Sequence, residues 1–231
     1  MKKNGVKEYG KKNLVVGSII FSLATFLVML AVWLFADPFN PKHSISYYVG
    51  YTIPSAIAFL IINILSVYNM HKFYIGVINR SFDPGHKELI VPGFKNRKTL
   101  NFSANFYYVL GVLIMIGLIG LSVFPIHLFE RMNPALGFTS EFHRIFSRSM
   151  FVIMSIQCFY TGWHFRQQKK VLIPNMIFAV YAVICCTAFL AASEFFWTYD
   201  FIFESVFVVG YFLTLFSHLA IKTKGEDDDT D

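Results

Sequence analysis

Acidic, basic and imidazole side chains gather where the apolar runs of this chain begin or end. Their types could bind an anion, move a proton or hold a metal. Asp37 closes the first run, and His43 with Ser44 and Ser46 precedes the second. His127, Glu130 and Arg131 close the third, and Glu141, His143, Arg144 and Arg148 open the fourth. Glu194, Asp200 and Glu204 surround the start of the last. The order Glu141, Arg144, Arg148 is i, i+3, i+7, which puts all three on one face of a helix. Arg148 falls about one turn inside its run and Glu204 about one turn inside the last, so one expectation is a buried ion pair between them. A second is an Arg that snorkels to the interface. A third is a cavity in which Arg144 and Arg148 hold the phosphate of an anionic lipid headgroup.

Catalysis needs more than charge. His127 or His143 could act as general base, with Glu130 or Glu204 as the acid or orienting group. A zinc site needs three converging ligands around a water. No His-x-x-x-His or His-Glu-x-x-His occurs, so His43, His127 and His143 would have to converge from separate segments. Haem ligation would need pairs such as His71 with His164 or His218, and His127 with His143; no haem-attachment motif accompanies them. A Gly-x-Ser-x-Gly elbow and a phosphate-binding glycine loop are absent. Cys158, Cys185 and Cys186 lie inside apolar runs with no Cys-x-x-Cys pair, a pattern for neither disulfide nor thiolate metal site. No cofactor or metal is expected. Deeper in the runs, Asn63 and Gln157 fall at similar depth, where amides hydrogen-bond between helices. Pro54 is expected to kink the second helix and free backbone groups for a polar cavity.

The elements that must position these groups follow from hydropathy. The 231 residues are 55% hydrophobic and 18% aromatic, and the 15% charged fraction falls well below the roughly one quarter usual in soluble domains. A spanning helix needs about 20 apolar residues. Six runs qualify: Leu14–Ala36, Val49–Met70, Phe106–Phe129, Ile145–Phe165, Val171–Ala192 and Phe201–Ile221. They lack the alternation of barrel strands, and backbone inside lipid must satisfy its own hydrogen bonds, so the expected class is all-α. The first run exceeds a signal core of about 7–15 residues and ends without a cleavage site, so it reads as retained. One transmembrane domain over residues 14–221 results, between a basic segment 1–13 and an acidic tail 222–231. The two halves share no clear repeat, which weakens an inverted-repeat transporter.

Direction follows from Lys and Arg. Sixteen of the 20 lie before the first run, between the second and third, between the fourth and fifth, or after the sixth. Lys42, Arg131, Arg144 and Arg148 lie in the alternate segments, so both termini are expected to be cytoplasmic. The same bias accounts for the net charge of +6 without a nucleic-acid partner. Between His71 and Asn105, Lys95, Asn96, Arg97 and Lys98 would lie near an anionic leaflet, as a topology determinant or a surface for a membrane-protein partner. The Asn79 and Asn101 sequons fall in that cytoplasmic connection, where no glycan would be added.

Several short stretches carry a family resemblance. They are His43-Ser44-Ile45-Ser46-Tyr47-Tyr48-Val49-Gly50, Asn63 in the second run, Gly117-Leu118-Ile119-Gly120-Leu121-Ser122-Val123-Phe124-Pro125 and Glu141-Phe142-His143-Arg144. In order and spacing the chain resembles the DRAM/Frag/Sfk-like membrane proteins and related bacterial six-helix proteins. That resemblance implies six helices with cytoplasmic ends, and a role in lipid organisation, lipid-anchor maturation or membrane stress. The expected activity is a non-enzymatic, multi-pass protein that binds or organises membrane lipid at the outer leaflet, or supports a membrane complex. The cell membrane is its expected location if the source is prokaryotic. A lipid-acting membrane enzyme and a small transporter are the alternatives. Reporters fused after Ile221 and within Asp83–Asn101 should be cytoplasmic, and one near Asn133 external; an external signal from the large connection would overturn the six-run assignment.

Overall fold

In the computed structural model, which describes residues 3–40, 42–78, 102–125, 128–190 and 200–220, helix is the only regular secondary structure among those residues. The first rod joins α1 (Lys3–Ile19), a π-helical turn (Ile20–Ala24) and α2 (Thr25–Phe35). A short α3 (Ile45–Val49) precedes α4 (Ile53–Val77); α5 (Phe102–Val123) is followed by a short α6 (Leu128–Met132) and a 3-10 turn (Pro134–Leu136). Then come α7 (Phe138–His164), α8 (Lys169–Leu190) and α9 (Asp200–His218). Four stretches are long and apolar enough to cross a membrane: Lys11–Phe35, Ile53–Val77, Ala104–Met132 and Phe201–His218. The expected set also included α7 and α8. Arg148, Ser155, Gln157 and Thr161 dilute the apolar run of α7.

Local chemistry sets the boundaries. Thr52 caps α4: its hydroxyl accepts the Ser55 N–H, and the Ser55 hydroxyl accepts the Thr52 N–H in return. Pro54 therefore sits in the first turn, where its missing N–H has no intrahelical partner to lose. This corrects the expectation of a kink: Pro54 starts the helix, and α3 is a separate element before it. Pro125 disfavours helix at Phe124, so α5 stops at Val123. The turn over residues 165–168 returns the chain from α7 to α8 as antiparallel neighbours.

The distribution of polarity is inverted relative to a soluble bundle. On α4, Ile57, Ile61 and Ile64 are each about half exposed, while Asn63 on the opposite face is 0% exposed. Gln157 and Asn175 are also fully buried, and Leu213, Val180 and Ile177 point outward. Apolar surface that extensive is rare on a soluble monomer, and hydrocarbon is the solvent that tolerates it.

The helices pack in a ring. The first rod lies against α4, α4 against α5, α5 against α7, α7 against α8, α8 against α9, and α9 closes onto α1. Each long helix thus lies beside its chain neighbour, as consecutive elements usually do. Side chains meet across the centre, where Phe21 packs on both Phe59 and Phe212. Where α5 crosses α7, a Cβ on Gly120 would lie 2.5 Å from the Phe146 ring, so only glycine admits that approach. Gly120→Ala should lower stability by about 1–3 kcal/mol in detergent unfolding, an overpacking cost. Adding Phe146→Leu should recover part of the loss, and an unchanged Gly120→Ala midpoint would refute the close crossing.

Candidate functional site

The short helix α3 closes one end of the ring, and two charged side chains from distant segments hold it there. At its start, the Glu204 carboxylate of α9 accepts the Ile45 N–H at 2.7 Å and the Ser46 N–H at 3.3 Å, and the Ser46 hydroxyl donates to its other oxygen at 3.3 Å. Ser44 supplies the local cap by accepting the Tyr47 N–H at 3.1 Å. At the other end, Arg131 donates to the Tyr51 carbonyl at 2.8 Å and to that of Gly50 at 3.4 Å. Its guanidinium lies 4.3 Å from the centre of the Tyr51 ring. The signs match the helix dipole, anion at the N-terminus and cation at the C-terminus, although direct charge-assisted hydrogen bonds dominate over so short a helix.

Beneath α3 lies a central cavity of about 80 Å3, room for a few water-sized groups or a short stretch of hydrocarbon. Its walls are apolar, with Phe59, Leu118, Met150, Met154 and Phe207 among them. Its polar groups are Ser46, His143, Ser147 and Glu204, with Tyr211 towards the far end. The π-helical turn of the first rod contributes Phe21 to the wall; such single wide turns alter the phase of a helix and recur at functional sites. His143 is 4% exposed, and its Nδ1–H donates to the Phe124 carbonyl at 2.7 Å. A carbonyl can only accept, so Nδ1 carries the proton. Ser147 stands one turn further along the same helix face.

Beside α3, Asp37 and His43 approach to 3.7 Å, long for a hydrogen bond but within reach of charge attraction. The His43 ring stacks obliquely on Tyr47, with centroids 3.9 Å apart. Burial and then the neighbouring Asp37 push the Tyr47 phenol up to about 12, so it remains a neutral donor at ordinary pH. Burial raises the Tyr48 phenol as well.

The other expected site residues take different places. Glu130 accepts from the Ser140 hydroxyl at 3.2 Å, which ties α6 to α7. Arg144 pairs with Glu141 on the same helix face. Arg148 is exposed, makes no ion pair with Glu204 and does not line the cavity; nor does Arg144. The expected Arg148–Glu204 pair is thus replaced, because Glu204 is drawn to the backbone N–H groups of α3. His127 and Glu194 lie outside the described residues, as do most of the basic connection and the acidic tail.

Two buried polar clusters join the helices lower down. Asn63 donates to the Ser122 hydroxyl at 2.8 Å, linking α4 to α5, and the Gln157 carbonyl accepts from Tyr211 at 2.7 Å and Tyr74 at 3.2 Å. Both amides bridge helices as expected, but separately. Nearer the opposite end, the Asn175 amide nitrogen donates to the Ser217 hydroxyl at 2.9 Å and to the Val171 carbonyl. Its oxygen is therefore the acceptor for His218 Nε2–H at 3.0 Å, and the Tyr107 hydroxyl donates to Nδ1 at 2.8 Å. Both His218 nitrogens are engaged, which leaves none for a haem iron. Among the described residues no three of His, Cys, Asp and Glu form a group that could hold a metal.

Sequence reasoning passed over Ser147, Tyr74, Tyr107, Asn175 and Tyr211. Asn175 was detectable as an amide inside an apolar run, and Ser147 as the residue one turn after His143. The tyrosines carried no signal, because an aromatic residue in a membrane run reads as ordinary packing. No family model, curated protein or solved structure matches the chain. If Glu204 and Arg131 hold α3, Glu204→Leu should raise amide hydrogen exchange at Ile45 and Ser46 by about tenfold or more, since a charge-assisted hydrogen bond contributes about 1.5–3 kcal/mol. Arg131→Gln should act more weakly, at the Tyr51 end. Protection that survives Glu204→Leu would mean that α3 is held by its aromatic packing instead.

Proposed function

We propose that this chain is a non-enzymatic, multi-pass membrane protein with six spanning helices and cytoplasmic ends, and that it binds lipid from the outer leaflet in the central cavity beneath α3. The observation that carries this reading is the cavity itself, with hydrocarbon-like walls and polar groups at the α3 end. An apolar site with a few placed polar groups suits an amphiphile. The distribution of Lys and Arg supports an outward-facing α3 end. The family resemblance, with its link to lipid organisation, points the same way.

The residues favour a different headgroup from the phosphate first expected. Glu204 brings a carboxylate and Ser46 and Ser147 bring hydroxyl oxygens, while Arg144 and Arg148 stand outside the lining. A head that donates hydrogen bonds, an alcohol or an amine, fits these acceptors better than an anion. A second reading rests on His143. A buried imidazole oriented by a carbonyl, one helix turn from Ser147, has the placement of a general base in a membrane hydrolase.

The test compares lipid retained by the purified full chain with that retained by Val208→Phe, which extends a ring into the cavity, and by Ser147→Leu, which removes a polar group. The wild type should carry a neutral or amine-headed lipid that both variants lose by about fivefold or more, with thermal midpoints unchanged. Equal retention by all three folded proteins would remove the cavity as the site.

A further inference from the structure

A groove of about 550 Å3 runs between α4 and α5, on the side of the bundle away from the central cavity. Ile64 and Tyr68 on α4 and Ile116 on α5 line it, and each is half exposed or more. The lining positions of α4 run from Ile64 to His71 and those of α5 from Tyr108 to Ile119, each at helical spacing. The longer stripe covers about 16 Å at 1.5 Å per residue, close to half of the roughly 30 Å hydrocarbon thickness. The groove is therefore one leaflet deep.

Its two ends differ in chemistry. The deep end is Ile64, Ile116 and Ile119. At the other end His71 and Tyr108 face each other with ring centroids 6.1 Å apart, and the Lys72 ammonium sits 3.9 Å above the Tyr68 ring. The Lys72 cation, on the helix face next to the trough and over the Tyr68 ring, suits a phosphate, and the apolar trough beside it suits one acyl chain.

We propose that the groove between α4 and α5 binds one anionic glycerophospholipid, with its phosphate at Lys72 and one acyl chain along the helix pair. It is separate from the central cavity and opens on the opposite leaflet. Only the description of that leaflet as cytoplasmic rests on the orientation proposed above.

The experiment is native mass spectrometry of the full chain in neutral detergent, with phosphatidylglycerol and phosphatidylcholine of identical chains supplied at equal concentration. The wild type should retain one phosphatidylglycerol per chain, preferred about fivefold, the worth of one cation near a membrane surface. Lys72→Gln should bring the two lipids close to parity. Ile116→Trp fills the trough from an already exposed position and should remove both. Millimolar inorganic phosphate should leave the bound lipid in place, because the acyl chain supplies part of the affinity. Val208→Phe should keep the phosphatidylglycerol, so this site and the central cavity can fail independently. Equal retention of both lipids by the wild type would overturn the proposal, as would phosphatidylglycerol undisturbed by Lys72→Gln and Ile116→Trp in folded protein. A dimer signal abolished by Ile116→Trp would make the groove a contact between copies and also overturn it.

Discussion

A polar side chain on a helix whose outer face is apolar must turn inward and find a partner there. Leaving it unpaired in a low-dielectric interior costs free energy comparable to a hydrogen bond or more. The bundle is organised around that constraint. Asn63, Gln157, Asn175, Thr214 and His218 are each at most 1% exposed, and each bonds to a group on another helix. These contacts set which faces of the helices meet. In an apolar solvent the side chains that face outward cannot do so, because lipid tails and Leu side chains are equivalent. Glycine then sets how closely the helices approach, as the Gly120–Phe146 contact illustrates.

The same constraint acts on backbone at the α3 end. Between α2 and α4 the chain leaves helix at residues 36–40 and 42–44 and again at 50–52, and exposes donors and acceptors there. Glu204 satisfies the N–H groups at the start of α3, and Arg131 the carbonyls after it. One partner comes from the last helix and the other from the segment after α5, so α3 ties the two sides of the ring together. Ile45 and Ser46 of α3 line the cavity beside Glu204. Tyr48 and Val49 of α3 are also buried in the core, so polar contacts and apolar packing hold the segment together.

The two ends of the bundle differ in kind. Around α3 the polar groups border a cavity and include a carboxylate and an oriented imidazole. At the opposite end, Tyr107, Asn175, Ser217 and His218 are satisfied by one another and hold α5, α8 and α9 in register. A network with every member paired rigidifies its surroundings.

Several features were legible in the sequence because they depend on composition and period alone. Helical class, the rough extent of each long helix and the inward turn of Asn63 and Gln157 all follow from the cost of polar groups in lipid, which needs no knowledge of neighbours. Pairing is different. Arg148 and Glu204 have matching depth and opposite charge, yet Glu204 instead caps α3, because the approach of residues 45 and 46 to α9 brings two backbone donors to its carboxylate. Pro54 reads as a kink in a continuous apolar run; only the capping of α4 by Thr52 shows that the helix begins there. The engagement of His218 by Tyr107 and Asn175, and of Arg131 by the end of α3, joins residues 43 to 111 and 80 or 81 positions apart. The sequence alone determined which side chains had to be paired. The packing of the ring decided with which partners, because hydrogen bonds depend on ångström-scale approach and depth in a membrane is a single coordinate.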